Sequence, residues 1–173
     1  SSLAKIRSRY PEQPAWKFLC ISNGFDPDAF KEYHPRPNRE KRLIVTHVGT
    51  VYKTASPQYF LDALDELPPE VRDGIEIRFI GRVSEAELNQ FEGRKSAIKL
   101  LGFMPQNMAL KTMEETDCLL LTMTNDISMP GKLYEYLAAR KPILALSPHG
   151  GEVQQFIDQT QADSIVDEAK STG

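Results

Sequence analysis

From residue 42 onward, apolar positions fall in short runs separated by segments whose apolar residues recur with helical spacing. "RLIVTHV" (42–48) is apolar and β-branched, as a strand is. In "SPQYFLDALDEL" (56–67), Phe60, Leu61, Leu64 and Leu67 stand at i, i+1, i+4 and i+7, one face of a helix. "IEIRFIG" (75–81) alternates as a strand, and "SEAELNQFEG" (84–93) opens with Ser84 and Glu87 at capping-box spacing. The strand candidates "IKLLGF" (98–103) and "DCLLLTM" (117–123) enclose the helical "NMALKTMEET" (107–116). The second is apolar almost throughout, which predicts a strand covered on both faces. A helix opening at "MPGKLYEY", the strand "KPILAL" (141–146), the helix "EVQQFIDQT" (152–160) and the short "SIV" (164–166) complete the series.

Strands alternating with helices predict an α/β fold with a doubly wound parallel sheet and right-handed crossovers. Ligands of such sheets bind outside the carboxyl ends of the strands. The loops to inspect are therefore 49–55, 81–83, 103–106 and 124–131. Residues 1–40 break the pattern: a strand-like run in "WKFLCIS", a turn signal at Asn23-Gly24, then a proline- and charge-rich stretch. That segment reads as a linker or edge strand joined to a neighbouring domain, and the start "SSLAKIRSRY" as a cut at a domain boundary.

Composition narrows the function. With 173 residues, 40% hydrophobic and 26% charged, the chain has the profile of one ordinary globular domain. Its 21 Lys and Arg against 24 Asp and Glu give a net charge of −3, without a basic stripe, which argues against nucleic acid as a partner. No apolar run reaches the ~20 residues of a membrane span. Cys20 and Cys118 both lie in apolar runs and are expected to be buried thiols in a reducing, cytoplasmic setting. His34, His47 and His149 lack metal-ligand spacing, and no acid cluster for a metal is visible. P-loop and G-x-G-x-x-G fingerprints are absent from the sequence.

The candidate chemistry lies in the predicted loops. In "NDISMPGKLYEY", Pro130 suits a first helical turn and Gly131 lets backbone N–H groups approach a ligand. A helix N-terminus attracts phosphate, Lys132 adds a full charge, and Glu135 can accept hydrogen bonds from neighbouring hydroxyls of a sugar. The same residues equally suit a plain helix start with a solvated lysine. In "GTVYKTASP", Gly49 allows close approach and Lys53 can meet a phosphate; Ser56 and Pro57 alone would make an ordinary βα turn. Arg82 is a second cation on the same edge. Phe103 in "LLGFMPQNM" offers an apolar surface for a flat base, or a satellite of the core. His149, before Gly150-Gly151, reads as a solvated loop residue.

"FLCISNGFDPDAF", "LIVTHVGTVY", "IKLLGFMPQNMALKTMEETDCLLLTM" and "MPGKLYEYLAARKPILAL", in that order, resemble the C-terminal, donor-binding half of a GT-B glycosyltransferase. The similarity is to the retaining, family-four-like group. It implies residues 1–40 as interdomain linker with the end of an N-terminal domain, and 41–173 as a Rossmann-like nucleotide-sugar domain truncated at its C-terminus. It implies no cofactor: the nucleoside-diphosphate sugar is the donor substrate, and the chemistry is expected to be independent of metal. By the resemblance, Glu135 holds the ribose, Pro130, Gly131 and Lys132 lie near the diphosphate, and Gly49 and Thr50 line its cleft. Lys53 and Arg82 are further phosphate partners, and Phe103 borders the base. Of the family's two glutamates with seven residues between them, the first position holds Ile127, with Asp126 beside it, so the catalytic residue is left open.

The expected activity is glycosyl transfer to a glycan or lipid-linked acceptor, as in polysaccharide biosynthesis. The N-terminal domain of the same protein would complete the site, in the cytoplasm or at the inner membrane surface. This chain alone is expected to bind a donor weakly and transfer nothing. Two alternatives stay open: a nucleotide-sugar epimerase of similar build, and a non-catalytic α/β interaction module.

Overall fold

The computed structural model describes residues 2–125 and 129–160, and the backbone of 165–167. Six strands form one parallel sheet: β1 (Leu43–Val48), β2 (Ile75–Ile80), β3 (Ala97–Gly102), β4 (Cys118–Thr122), β5 (Ile143–Ser147) and β6 (Ile165–Asp167). The helices are α1 (Ser2–Arg9), α2 (Gln58–Glu66), α3 (Pro69–Arg72), α4 (Gln106–Glu114), α5 (Gly131–Ala139) and α6 (Glu152–Thr160). The strand order β3-β2-β1-β4-β5-β6 means the chain winds outward from β1, then returns to β4 and winds the other way. This is the doubly wound α/β fold expected from the alternation, with its topological switch between β1 and β4.

The continuous apolar run of β4 has the predicted cause. Leu119 and Leu121 enter one core with Leu133, Tyr136 and Val153 of α5 and α6, while Leu120 enters the other with Leu61 and Leu64 of α2. A strand between two cores has no solvent face to fill with polar residues. β1 pairs with β2 over its whole length, from Leu43↔Ile75 to Val48↔Ile80. It pairs with β4 only at Val45↔Cys118 and Thr46↔Leu119. Beyond Thr46 the two strands part, and a crevice opens at the carboxyl end of the sheet.

Three local expectations are corrected. Cys20 is exposed, and Leu19 and Ile21 beside it are 78% and 82% exposed, so "FLCI" is extended chain that, among the described residues, has no strand to pair with and no core to enter. Cys118, first residue of β4, is partly rather than fully buried. Ser84 makes no side-chain cap: residues Glu85–Phe91 form a tight 3-10 helix, and the Glu87 N–H donates to the Ser84 carbonyl at 2.9 Å. The Glu87 carboxylate instead accepts from Gln90 Nε2 at 2.7 Å. Asp126 and Ile127 lie outside the described residues. Among the described residues, no helix is long and apolar enough to cross a membrane.

Candidate functional site

Helix α5 has Pro130 at its N-cap and Gly131 as first helical residue. Its apolar stripe, Leu133, Tyr136 and Ala139, is buried without remainder. That fixes the rotation of the helix and leaves Lys132 and Glu135 together beside the crevice. Lys132 Nζ and Glu135 Oε2 lie 2.6 Å apart, three residues apart on one face. Such a half-exposed pair is worth at most about 1 kcal/mol, so either partner is available to a ligand that offers more.

Two side chains fill the gap where β1 and β4 part. The Tyr136 hydroxyl accepts from the Val48 N–H at 2.8 Å, a backbone donor that has no β4 partner at this level. Its own proton is directed between the carbonyls of Leu120 at 3.2 Å and Val48 at 3.4 Å. Burial pushes the Tyr136 phenol well above its ordinary pKa, so it remains a donor throughout the working range. His47 Nδ1 meets the Leu120 carbonyl at 3.1 Å. A carbonyl only accepts, so Nδ1 carries the hydrogen and Nε2 is a bare acceptor. Burial, with a smaller push from the Lys132 charge, lowers the His47 pKa to about 4 against the pull of the Leu120 carbonyl. Nε2 is buried and has no hydrogen-bond partner among the described residues.

The β2 side of the crevice is shaped by glycine. Gly49 donates to the Ile80 carbonyl and Gly81 to the Gly102 carbonyl, each at 2.8 Å. At Gly81, φ is +133° and a Cβ would run into the Gly49 carbonyl, so only glycine lets the two loops cross. Beyond them, the Arg82 guanidinium stands 5.5 Å from the centre of the Phe103 ring, which is 73% exposed. The pair forms a flat cationic and aromatic edge.

The result is a cleft of about 850 Å³ across the carboxyl end of the sheet, within the range of small-molecule sites. Gly49, Thr50, Arg82, Phe103, Pro130, Gly131, Lys132 and Glu135 all line it. Lys53 is not among the lining residues: it is exposed in the 3-10 turn Lys53–Ala55, whose backbone is tied to β4's exit by Thr124. His149 does not line the cleft either. Two residues escaped the sequence reading. His47 carried no spacing signal, being one histidine inside an apolar strand. Asn23, read as a turn signal, donates from Nδ2 to the Met129 carbonyl at 3.1 Å and so ties the N-terminal segment to the loop that opens α5. Among the described residues, no group of three or more His, Cys, Asp or Glu is placed to hold a metal ion.

The model of the family described as "Glycosyl transferases group 1" matches residues 42–172. A search of curated proteins returned no match. Among solved structures, WaaG, a glycosyltransferase involved in lipopolysaccharide biosynthesis, superposes with a TM-score of 0.74 at 18% identity, covering 95% of this chain and 46% of that one. Anabaena Alr3699/HepE in complex with UDP gives 0.70 at 17% identity, covering 99% and 48%; its complex with UDP-glucose gives 0.68 at 16%, covering 98% and 48%. The lipopolysaccharide outer core galactosyltransferase WaaB gives 0.59 at 14%, covering 94% and 52%. The chain therefore spans about half the length of these similar proteins.

Proposed function

The chain belongs to the group 1 glycosyltransferases, and from that premise we propose that its cleft binds the nucleoside diphosphate of a sugar donor. One observation carries the reading. The crevice at the topological switch brings the N-terminus of α5, Lys132 and Glu135 to one side, and Arg82 with Phe103 to the other. Unpaired N–H groups of a helix start and a lysine suit a diphosphate. Glu135, one turn in, accepts from the two ribose hydroxyls, exchanging its Lys132 contact for them. Phe103, held by Arg82, gives the base a surface to stack on. HepE is a structural relative solved with UDP and with UDP-glucose, which favours uracil as the base here.

In the complete protein, the acceptor's hydroxyl would displace the nucleoside diphosphate from the anomeric carbon. Negative charge then builds on the leaving phosphate, where Lys132 and the α5 N-terminus are already aimed, so stabilisation needs no reorganisation. This displacement draws on no cofactor. Glycan or lipid-linked acceptors would be presented by the remaining half of the protein, which the length of the relatives implies.

Calorimetric titration of this chain with UDP, GDP, ADP and CMP tests the reading, with Glu135→Gln alongside. Saturable binding of one nucleotide is expected, weakened about tenfold in the variant, the size of a hydrogen bond to a charged acceptor. No binding by any of the four at millimolar concentration, or no change in Glu135→Gln, would refute it.

A further inference from the structure

The floor of the cleft holds a polar atom that the proposed contacts leave unused. His47 is 4% exposed, its Nδ1–H is committed to Leu120, and its Nε2 has no partner among the described residues. Buried acceptors are rarely left unpaired, because each forfeits its hydration without compensation. The ring is held from below by Phe79, with centroids 5.6 Å apart, so it cannot swing away to find a partner. From above, a Cβ on Gly49 would sit 3.4 Å from Nε2; glycine keeps that approach open. The atom also lies where β1 and β4 part, the place at which doubly wound sheets receive their ligands.

The chemistry of Nε2 selects its partner. As a neutral acceptor it repels a diphosphate, whose oxygens are acceptors too. The base belongs to the outer edge at Phe103, and the ribose hydroxyls to Glu135. The remaining donor groups of a nucleotide sugar are the hydroxyls of the sugar itself. Resting on the nucleotide-sugar reading above, we propose that His47 is a sugar-recognition residue, its Nε2 accepting a hydrogen bond from a hydroxyl of the glycosyl group to be transferred. Nδ1–H···O=C to Leu120 fixes the ring and the tautomer. A site with a buried acceptor of this kind favours a ligand that brings a hydroxyl over one that does not.

The test separates sugar from nucleotide. The chain is titrated with UDP, UDP-glucose and UDP-galactose, then with His47→Asn, which keeps a donor near Leu120 and removes the reaching acceptor, and His47→Gln, which restores an acceptor near Nε2. The wild type is expected to bind one UDP-sugar more tightly than UDP. In His47→Asn that sugar nucleotide should weaken about threefold to tenfold, the size of one neutral hydrogen bond, with UDP little changed and part of the loss regained in His47→Gln. His47→Phe keeps the ring's packing on Phe79 and provides the same reading if His47→Asn does not fold. Unchanged UDP-sugar binding in both His47→Asn and His47→Phe overturns the proposal, as does an equal loss for UDP and UDP-sugar. A wild type that binds UDP and both sugars equally overturns the proposal while leaving the donor-domain reading intact; one that binds no nucleotide overturns both.

Discussion

Tyr136→Phe removes one oxygen from a side chain that is 0% exposed, keeping the ring in its place among Leu133, Leu119 and Leu121. What is lost is the acceptor for the Val48 N–H, 2.8 Å away at the point where β4 no longer pairs with β1. A buried donor without a partner costs about 1–3 kcal/mol, and at about 2–4 °C per kcal/mol for a chain of this size the thermal midpoint should drop by about 2–12 °C. Urea denaturation followed by circular dichroism gives the free energy, with an unchanged slope showing that the same surface is still exposed on unfolding. Because Tyr136 also holds the strand ends beneath Glu135, nucleotide affinity should fall with it. A Phe variant within about 0.5 kcal/mol of the wild type, the range of neutral surface changes, would refute the claim that this hydroxyl replaces a missing rung of the sheet.

Two further outcomes follow from the cleft. His47 stays neutral in the fold down to about pH 4, whereas the unfolded chain protonates it near 6.5; between those values the unfolded state holds the extra proton. Stability should therefore decline as pH falls from about 6.5 to about 4, by about 3 kcal/mol in all; above the window this group changes nothing, and below it the loss is complete and no longer varies with pH. His47→Phe should flatten that part of the urea-midpoint profile, and parallel profiles for the two proteins would count against it. Gly81→Ala should cost several kcal/mol and abolish binding, since it adds a collision with the Gly49 carbonyl to an unfavourable φ of +133°. Gly93→Ala, at φ +66° with open space around it, should cost only about 1 kcal/mol; similar losses for both in thermal melts would contradict the crossing-loop argument.

Most of the sheet was legible because its signal is redundant. β4 lies between two cores and is apolar at all its positions but Thr122, so "CLLLT" reads as a buried strand, and Leu61 and Leu64 repeat at the spacing α2 requires. The cleft's location followed from the alternation alone, and Glu135 and Lys132 followed from their distance to a helix start. Failures arose where the determining contact is remote. "FLCI" looks like a strand, but a strand needs a neighbour, and none of the described residues offers one at that place. Lys53 has the right charge in the right loop, and Thr50, Tyr52 and Ala55 of that loop line the cleft, yet the Lys53 side chain is exposed and does not line it. His47 was invisible because its significance lies in an unmade hydrogen bond, which depends on Leu120, Phe79 and Gly49 together.

The crevice between β1 and β4 also has a consequence in time. The bonds that frame it join residues far apart along the chain: His47 to Leu120 across 73 positions, Val48 to Tyr136 across 88 and Asn23 to Met129 across 106. Contacts of such span form after the shorter loops have closed, because each must first meet the entropy of bringing its ends together. The β1–β2 unit can assemble early, while the crevice waits for β4 and α5 to arrive. Substitutions at Tyr136 or Asn23 should accordingly register in the rate of unfolding more than in the rate of folding. The protein acquires its binding surface at the last stage of becoming a protein, and a chain halted before residue 136 would have the start of a sheet and no place for a ligand.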